Sequence, residues 1–329
     1  MMPATARSVR PLTRGPPQVG FAADVRDGLS APDGKWIPSR HLYDALGSAL
    51  FEAICLLPEY GLSRADERVL ERAAPELTQH LGPVPLVVEL GSGSGRKTRG
   101  VLAALAREAA VTYRPIDLSS AALQCCRREL AQLPGVFFAG VEADFLVGLQ
   151  RAAGARRDDE RLLLLFLGST IGNFDRPDAA RFLCEVRERL RPGDALLLGT
   201  DLLKPVSQLL PAYDDPAGVT AAFDLNLLAR INRELSGDFD LRTFAHESRW
   251  NEAERCVEMH LRSLRPQLVH VRACGLRVAL REGETIWTEG SCKYAPDEPA
   301  LIGARAGFQC VAQWTDDEWP FAESLLLAS

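Results

Sequence analysis

The stretch Leu86-Val87-Val88-Glu89-Leu90-Gly91-Ser92-Gly93-Ser94-Gly95-Arg96-Lys97-Thr98 decides the fold. A short β-prone apolar run that carries an acid and then meets three glycines reads as a buried strand. Its C-terminal end opens into a loop that must pass close to a ligand. Residues 99–110 follow with helical spacing. Strand, glycine loop and helix together start a doubly wound sheet, and such sheets bind ligands at the C-terminal ends of their strands. The spacing sorts the ligands. A dinucleotide fingerprint would place its third glycine one residue beyond Gly95, and a phosphate loop would need glycine where this chain has Arg96.

What remains, Glu89-x-Gly91-x-Gly93-x-Gly95, resembles motif I of the class I S-adenosylmethionine-dependent methyltransferases. In that reading Glu89 holds the amino end of the methionine, Gly91 and Gly93 let backbone approach the ligand, and Lys97 meets the methionine carboxylate. A glycine-rich turn with no ligand, and an ordinary exposed lysine, are the alternatives.

Outward from this stretch, strands at 86–90, 111–116, 136–141, 162–167 and 194–200 alternate with helices at 97–109, 119–132, 144–153 and 177–191. Alternation of this kind implies a parallel sheet with right-handed crossovers, an α/β Rossmann-like core. Asp117 ends the second strand, where a carboxylate can accept both ribose hydroxyls of a nucleoside. Asp144 and Phe145 follow the third, an acid for an adenine amino group beside an aromatic for its ring. Each acid is equally readable as a helix N-cap.

Ahead of the core lie helices at 42–57 and 64–81. Past Asp201 the pattern changes to an amphipathic helix at 219–235 and period-two strands at 254–264, 267–273 and 276–281. The chain then returns through 285–289, a helix at 297–306 and a strand at 309–313. The expected organisation is an N-terminal segment (1–63) contributing to a substrate domain, a cofactor-binding core (64–201), an inserted α+β substrate domain (202–286) and a C-terminal completion of the core sheet (287–329).

Composition removes several functions. A net charge of −6 over 329 residues and a pI near 5.5 lack the basic excess of a nucleic-acid binder. The longest apolar run, 162–167, falls far short of the roughly 18 residues that would span a bilayer. Residues 1–18 hold no apolar signal core, so a cytoplasmic protein is expected, and a monomer. The eight cysteines contain no C-x-x-C pair, and with five scattered histidines they give no metal spacing. Reduced, mostly buried thiols are the expectation, and the Pro/Gly-rich first 35 residues are expected to be partly disordered or draped over the surface.

Five further segments carry a second resemblance: Leu167-Gly168-Ser169-Thr170-Ile171-Gly172-Asn173-Phe174, Ala212-Tyr213-Asp214-Asp215, Asn226-x5-Asn232-Arg233-Glu234-Leu235, Glu258-Met259-His260-Leu261 and Thr288-Glu289-Gly290-Ser291-Cys292-Lys293-Tyr294. With Tyr43 and Tyr60, they are similar to the histidine Nα-methyltransferases of ergothioneine biosynthesis. The resemblance implies three methyl transfers from S-adenosylmethionine to the α-amine of L-histidine, giving the betaine hercynine and S-adenosylhomocysteine, without a metal. It also implies site roles. Asn173 and Tyr213 hold the α-carboxylate and amine. Tyr60, Glu289 and Ser291 hold the imidazole, with Gly290 beside them. Met259 and Phe223 line the pocket, Gly168 and Thr170 lie near the amine, and Tyr43 approaches the accepting nitrogen as the candidate proton acceptor or relay.

An imidazole offers one donor and one acceptor, so a carboxylate with a hydroxyl can read both nitrogens. Blander readings exist for each residue: Met259 as strand core, Tyr60 as a capped core tyrosine, Asn173 as a turn residue, Glu289 as a surface acid. His260, on the opposite strand face from Met259, reads as a surface or interdomain residue. The chain departs from the family pattern at Pro205, at Asp224 where asparagine is usual, and at Trp287 and Gly290 around Glu289. Methylation of another amino acid, such as a tryptophan derivative, and a non-catalytic protein that binds S-adenosylmethionine are the competing functions.

Overall fold

The computed structural model describes residues 20–329, which divide into two compact units. The first holds residues up to 54, 173–178 and 206–292; the second holds 55–172, 179–205 and 293–329. The expected boundaries after 63, 201 and 286 differ from these, and residues 173–178, expected within the core, belong to the first unit.

The second unit is built on one sheet. Its strand order is Phe308–Asp316, Phe321–Ala328, Ala195–Asp201, Leu162–Phe166, Leu86–Leu90, Val111–Asp117 and Val136–Phe138, with Val141–Glu142 also paired to Val111–Asp117. The strands from Ala195–Asp201 to Val136–Phe138 are parallel, as the alternation requires. Leu162–Phe166 and Leu86–Leu90 are buried at every position. Helices cover both faces of a parallel sheet, which is why those strands read as unbroken apolar runs. Leu70 and Leu77 of the helix Gly61–Leu81 and Leu102 and Leu105 of Thr98–Glu108 close over Val87, Leu163, Leu165, Leu197 and Leu325. Each such leucine contributes roughly 1.5–3 kcal/mol by leaving water.

Two features of this sheet differ from expectation. Phe321–Ala328 is an additional strand, antiparallel to Ala195–Asp201 and to Phe308–Asp316, and it separates the two. The third strand breaks into Val136–Phe138 and Val141–Glu142 around Ala139 and Gly140.

The first unit holds a four-stranded sheet in the order Lys35–Trp36, Thr285–Cys292, Cys256–Ser263 and Phe244–Asn251, parallel at the first pairing and antiparallel after it. Gln267–Val271 and Leu276–Leu280 form a separate antiparallel pair. Helices Phe21–Leu29, Ala45–Ile54, Val206–Tyr213 and Val219–Leu235 belong to the same unit. Thr285–Cys292 therefore does not help complete the core sheet: it pairs antiparallel with Cys256–Ser263, from Thr285 opposite Arg262 to Cys292 opposite Cys256.

The expectation for the first 35 residues is corrected in part. Phe21–Leu29 is a helix with Asp24, Val25, Gly28 and Leu29 buried, and residues 1–19 lie outside the described residues. The thiol expectation is corrected too. Cys256 and Cys292 face each other across two strands and are joined as a disulfide, while Cys125 and Cys184 are exposed and Cys126 and Cys274 buried. Among the described residues no helix is long and apolar enough to cross a membrane, and no cluster of His, Cys, Asp or Glu could hold a metal ion.

Candidate active site

In the second unit the glycine loop turns as its composition demands. Gly91, Gly93 and Gly95 have φ of 74°, 50° and 74°, a region that side chains rarely adopt. Glu89, at the end of its strand, is buried and accepts from Thr98 Oγ1 at 2.8 and 2.9 Å and from the hydroxyl of Tyr113. Burial pushes its carboxyl up to about 7 against the pull of these donors. A carboxylate in that condition is stabilised by any cation placed against it.

Asp117 ends Val111–Asp117, with Oδ1 accepting from Ser119 N at 2.8 Å and Oδ2 from Gly93 N at 3.3 Å. Burial raises its pKa. The adjacent helix is capped by Ser119, not by Asp117. Asp144 does cap its helix, accepting from Leu146 N at 3.1 Å. The Phe145 ring stands beside Gly91, edge-on to Phe166 at 5.7 Å. Lys97 pairs with Asp66, which also accepts from Gly168 N at 3.1 Å. Gly168 and Ser169 both have positive φ, and Thr170 Oγ1 donates to Leu167 O at 3.0 Å. Tyr60 is buried at the start of Gly61–Leu81.

In the first unit a register shift between Trp287 and Glu289 leaves Thr288 as the extra residue of a bulge, its Oγ1 donating to Met259 O at 3.1 Å. Such a bulge re-aims the side chains beyond it. Glu289 then lies opposite Met259 and Ser291 opposite Val257, so that Glu289, Ser291 and Met259 share one sheet face. Gly290 lies opposite Glu258.

Onto Glu289 Oε1 converge Asn173 Nδ2 at 3.2 Å and Tyr43 OH at 3.4 Å. Ser291 Oγ meets Tyr213 OH at 2.8 Å. The Tyr43 ring packs edge-on against Phe223 and Phe51, each with centroids 5.5 Å away. The unit thus gathers one carboxylate, one carboxamide, an aliphatic hydroxyl and two phenols, a set able to bind a zwitterion that also carries a polar ring. His260 falls on the opposite face with Glu258, as expected, but it is buried.

A family profile described as histidine-specific methyltransferase, SAM-dependent, matches residues 21–328. The chain is 43% identical over 305 residues to the histidine N-alpha-methyltransferase of Mycolicibacterium smegmatis, covering 92% of this chain and 93% of that one. The chain belongs to the histidine-specific, S-adenosylmethionine-dependent methyltransferases. A second relative, the histidine N-alpha-methyltransferase of Mycobacterium tuberculosis, is 41% identical with the same coverage. Ergothioneine biosynthesis protein 1 of Neurospora crassa is 30% identical across 91% of this chain and 34% of its own length.

For a histidine-specific methyltransferase, several supporting residues escaped sequence reasoning. Asp66 is fully buried between Leu62 and Leu70 on the apolar face of its helix. An acid at an apolar-face position was the available signal. Asp44, the residue after Tyr43, ties that segment down: Oδ1 accepts from Gly47 N and Asn226 Nδ2, both at 2.8 Å, and Oδ2 from Arg233 at 2.6 Å. The Asn226-x5-Asn232-Arg233 segment therefore serves Asp44, while Asn232 closes a turn on Phe239. In the other unit Asp201 is buried with Lys204, Lys293 and the Trp319 indole N–H around it. Burial depresses Lys204 to about 8 despite Asp201.

Proposed function

We propose that this enzyme transfers three methyl groups in succession to the α-amine of L-histidine, giving hercynine for ergothioneine biosynthesis. When bound, S-adenosylmethionine supplies an electrophilic sulfonium methyl. Glu89 faces its ammonium, Gly91 and Gly93 allow its close approach, Lys97 takes its carboxylate, Asp117 its ribose hydroxyls, and Asp144 with Phe145 its adenine. The pKa of Glu89 near 7, the positive-φ glycines and the buried Asp117 support this assignment.

The observation that carries the histidine reading is the pairing of Glu289 and Ser291 on one strand face, with Asn173, Tyr43 and Tyr213 bonded to them. Glu289 and Ser291, with Tyr60, read the imidazole nitrogens, and Met259, Phe223 and Gly290 shape the space around the ring. Asn173 and Tyr213 fix the α-carboxylate and amine, and Gly168 and Thr170 border the amine. Proximity and orientation do most of the chemistry. Each of the three transfers needs a neutral amine, so the ammonium loses a proton before every attack, and Tyr43 accepts or relays that proton. The enzyme acts as a cytoplasmic monomer in this reading.

The test is competition among amino acids. Histidine should dominate in the wild type, and Glu289→Ala should lower its preference over apolar amino acids by roughly tenfold or more, because a site built on polar pairing loses its discrimination with that pair. An unchanged preference would refute the imidazole assignment.

A further inference from the structure

We infer that His246 is a positioning residue for Tyr213, locked by a proton that it shares with Asp224. This rests on the assignment of Tyr213 to the substrate's carboxylate and amine.

His246 lies on Phe244–Asn251 opposite Leu261, hence on the sheet face that carries Met259, Glu289 and Ser291. Its side chain is 1% exposed and that of Asp224 is 0% exposed. Nε2 lies 2.8 Å from the Tyr213 carbonyl oxygen, and Nδ1 lies 2.8 Å from Asp224 Oδ2. A carbonyl oxygen has no proton to give, so Nε2 must carry one. The Nδ1 contact then needs a proton of its own, since a bare nitrogen lone pair facing a carboxylate is repulsive. Whether written as imidazolium with carboxylate or imidazole with carboxylic acid, the pair holds one proton more than a neutral imidazole beside a carboxylate.

The surroundings favour that proton. From the helix Val219–Leu235 the facing acid is Asp224, and from the end of Val206–Tyr213 it is Asp214; the opposite strand presents Leu261, with His260 and Arg262 on its other face. Burial opposes a charged ring, the Asp224 and Asp214 contacts favour it, and the balance raises the His246 pKa.

Tyr213 is the last residue of its helix, where carbonyls have no partner within the helix. His246 supplies that partner and so fixes the residue whose hydroxyl meets Ser291. As pH rises, loss of the shared proton leaves one of the two 2.8 Å contacts without a hydrogen, and the helix end loosens. An asparagine at position 224 would donate its amide N–H to a bare Nδ1. The lock would then need no extra proton.

The experiment compares wild type with Asp224→Asn. Histidine affinity is measured by calorimetry from pH 6.5 to 10 with S-adenosylhomocysteine bound, alongside Tm across the same range. Titration of the substrate's own amine is common to both proteins and cancels in their affinity ratio. The expected ratio falls by tenfold or more along a one-proton limb as pH rises, and the Tm of the wild type drops relative to the variant over the same limb. The sign follows from a raised pKa: the contribution is present at low pH and lost as pH rises through the folded-state value. A ratio that stays flat while histidine binds, or a pH-independent Tm difference, would overturn the positioning role alone. Failure of both proteins to bind histidine at any pH would overturn the functional reading and this role with it.

Discussion

Asn173 Nδ2 donates to Glu289 Oε1 at 3.2 Å, although the two residues lie 116 positions apart. Tyr43 reaches the same oxygen from a third segment. One carboxylate therefore sets the orientation of both the carboxamide and the phenol assigned to the reacting end of the substrate. Asn173→Ala should lower kcat/KM for histidine by about 10- to 100-fold, the equivalent of roughly 1.5–3 kcal/mol for a hydrogen bond to a charged group. Tyr43→Phe keeps the ring contacts with Phe223 and Phe51 and removes only the hydroxyl. It should slow the methylation steps in single-turnover assays, and wild-type rates at every step would exclude Tyr43 as proton acceptor or relay.

Glu89 gives a pH dependence whose sign is fixed by its environment. Burial raises its pKa from 4.5 to about 7, so below that pH the protein must release a proton to face a ligand ammonium with a carboxylate. Affinity for S-adenosylhomocysteine should rise from pH 5.5 to 7.5 and then level, by up to about tenfold per pH unit on the rising limb. Glu89→Gln should weaken binding and flatten the profile. In the free protein the same shift acts oppositely on stability: the native state holds the proton more tightly, so its contribution is lost as pH rises from 4.5 towards 7. Calorimetry measures the first effect and thermal melts the second.

Asp44 joins Gly47, Asn226 and Arg233, and these contacts hold its pKa down against the effect of burial. Asp44→Ala removes a helix-start bond and two side-chain partners, which should cost about 2 kcal/mol and lower Tm by several degrees. Asp44→Asn should lose less, because it can still accept from Gly47.

Much of the cofactor-binding unit was legible because its signals are local. Three glycines after a buried strand, and alternating strands and helices, need no distant partner to be recognised. Other elements were hidden by their surroundings. Phe244–Asn251 shows little apolar alternation because its inward positions include His246 and Ser248. The bulge at Thr288 adds one residue and so shifts the period on which a strand reading depends. Phe321–Ala328 buries Glu323 and Ser324 within the sheet, and burial together with the neighbouring Asp66 drives Glu323 well above an ordinary carboxyl pKa. The site residues were legible only as a constellation: Met259 alone is an ordinary strand residue, and Asn173 alone an ordinary turn.

The disulfide could not be read from spacing, because strand register, not sequence distance, brings Cys256 to Cys292. Of the eight cysteines, six should react with a thiol reagent under denaturing, non-reducing conditions and all eight after reduction. Eight reactive thiols without reductant would contradict the pairing. Closing a segment with a sequence separation of 36 stabilises by about 3–4 kcal/mol on chain-entropy grounds, so reduction should lower Tm.

The most direct test of histidine Nα-methylation is mass spectrometry of the products formed by the purified enzyme from S-adenosylmethionine and an equimolar mixture of common amino acids. The expected product is histidine carrying three methyl groups, all on the α-nitrogen, with three S-adenosylhomocysteine released for each molecule of it. Methylation of another amino acid, or methyl groups on the imidazole, would contradict the roles given to Glu289, Ser291 and Asn173.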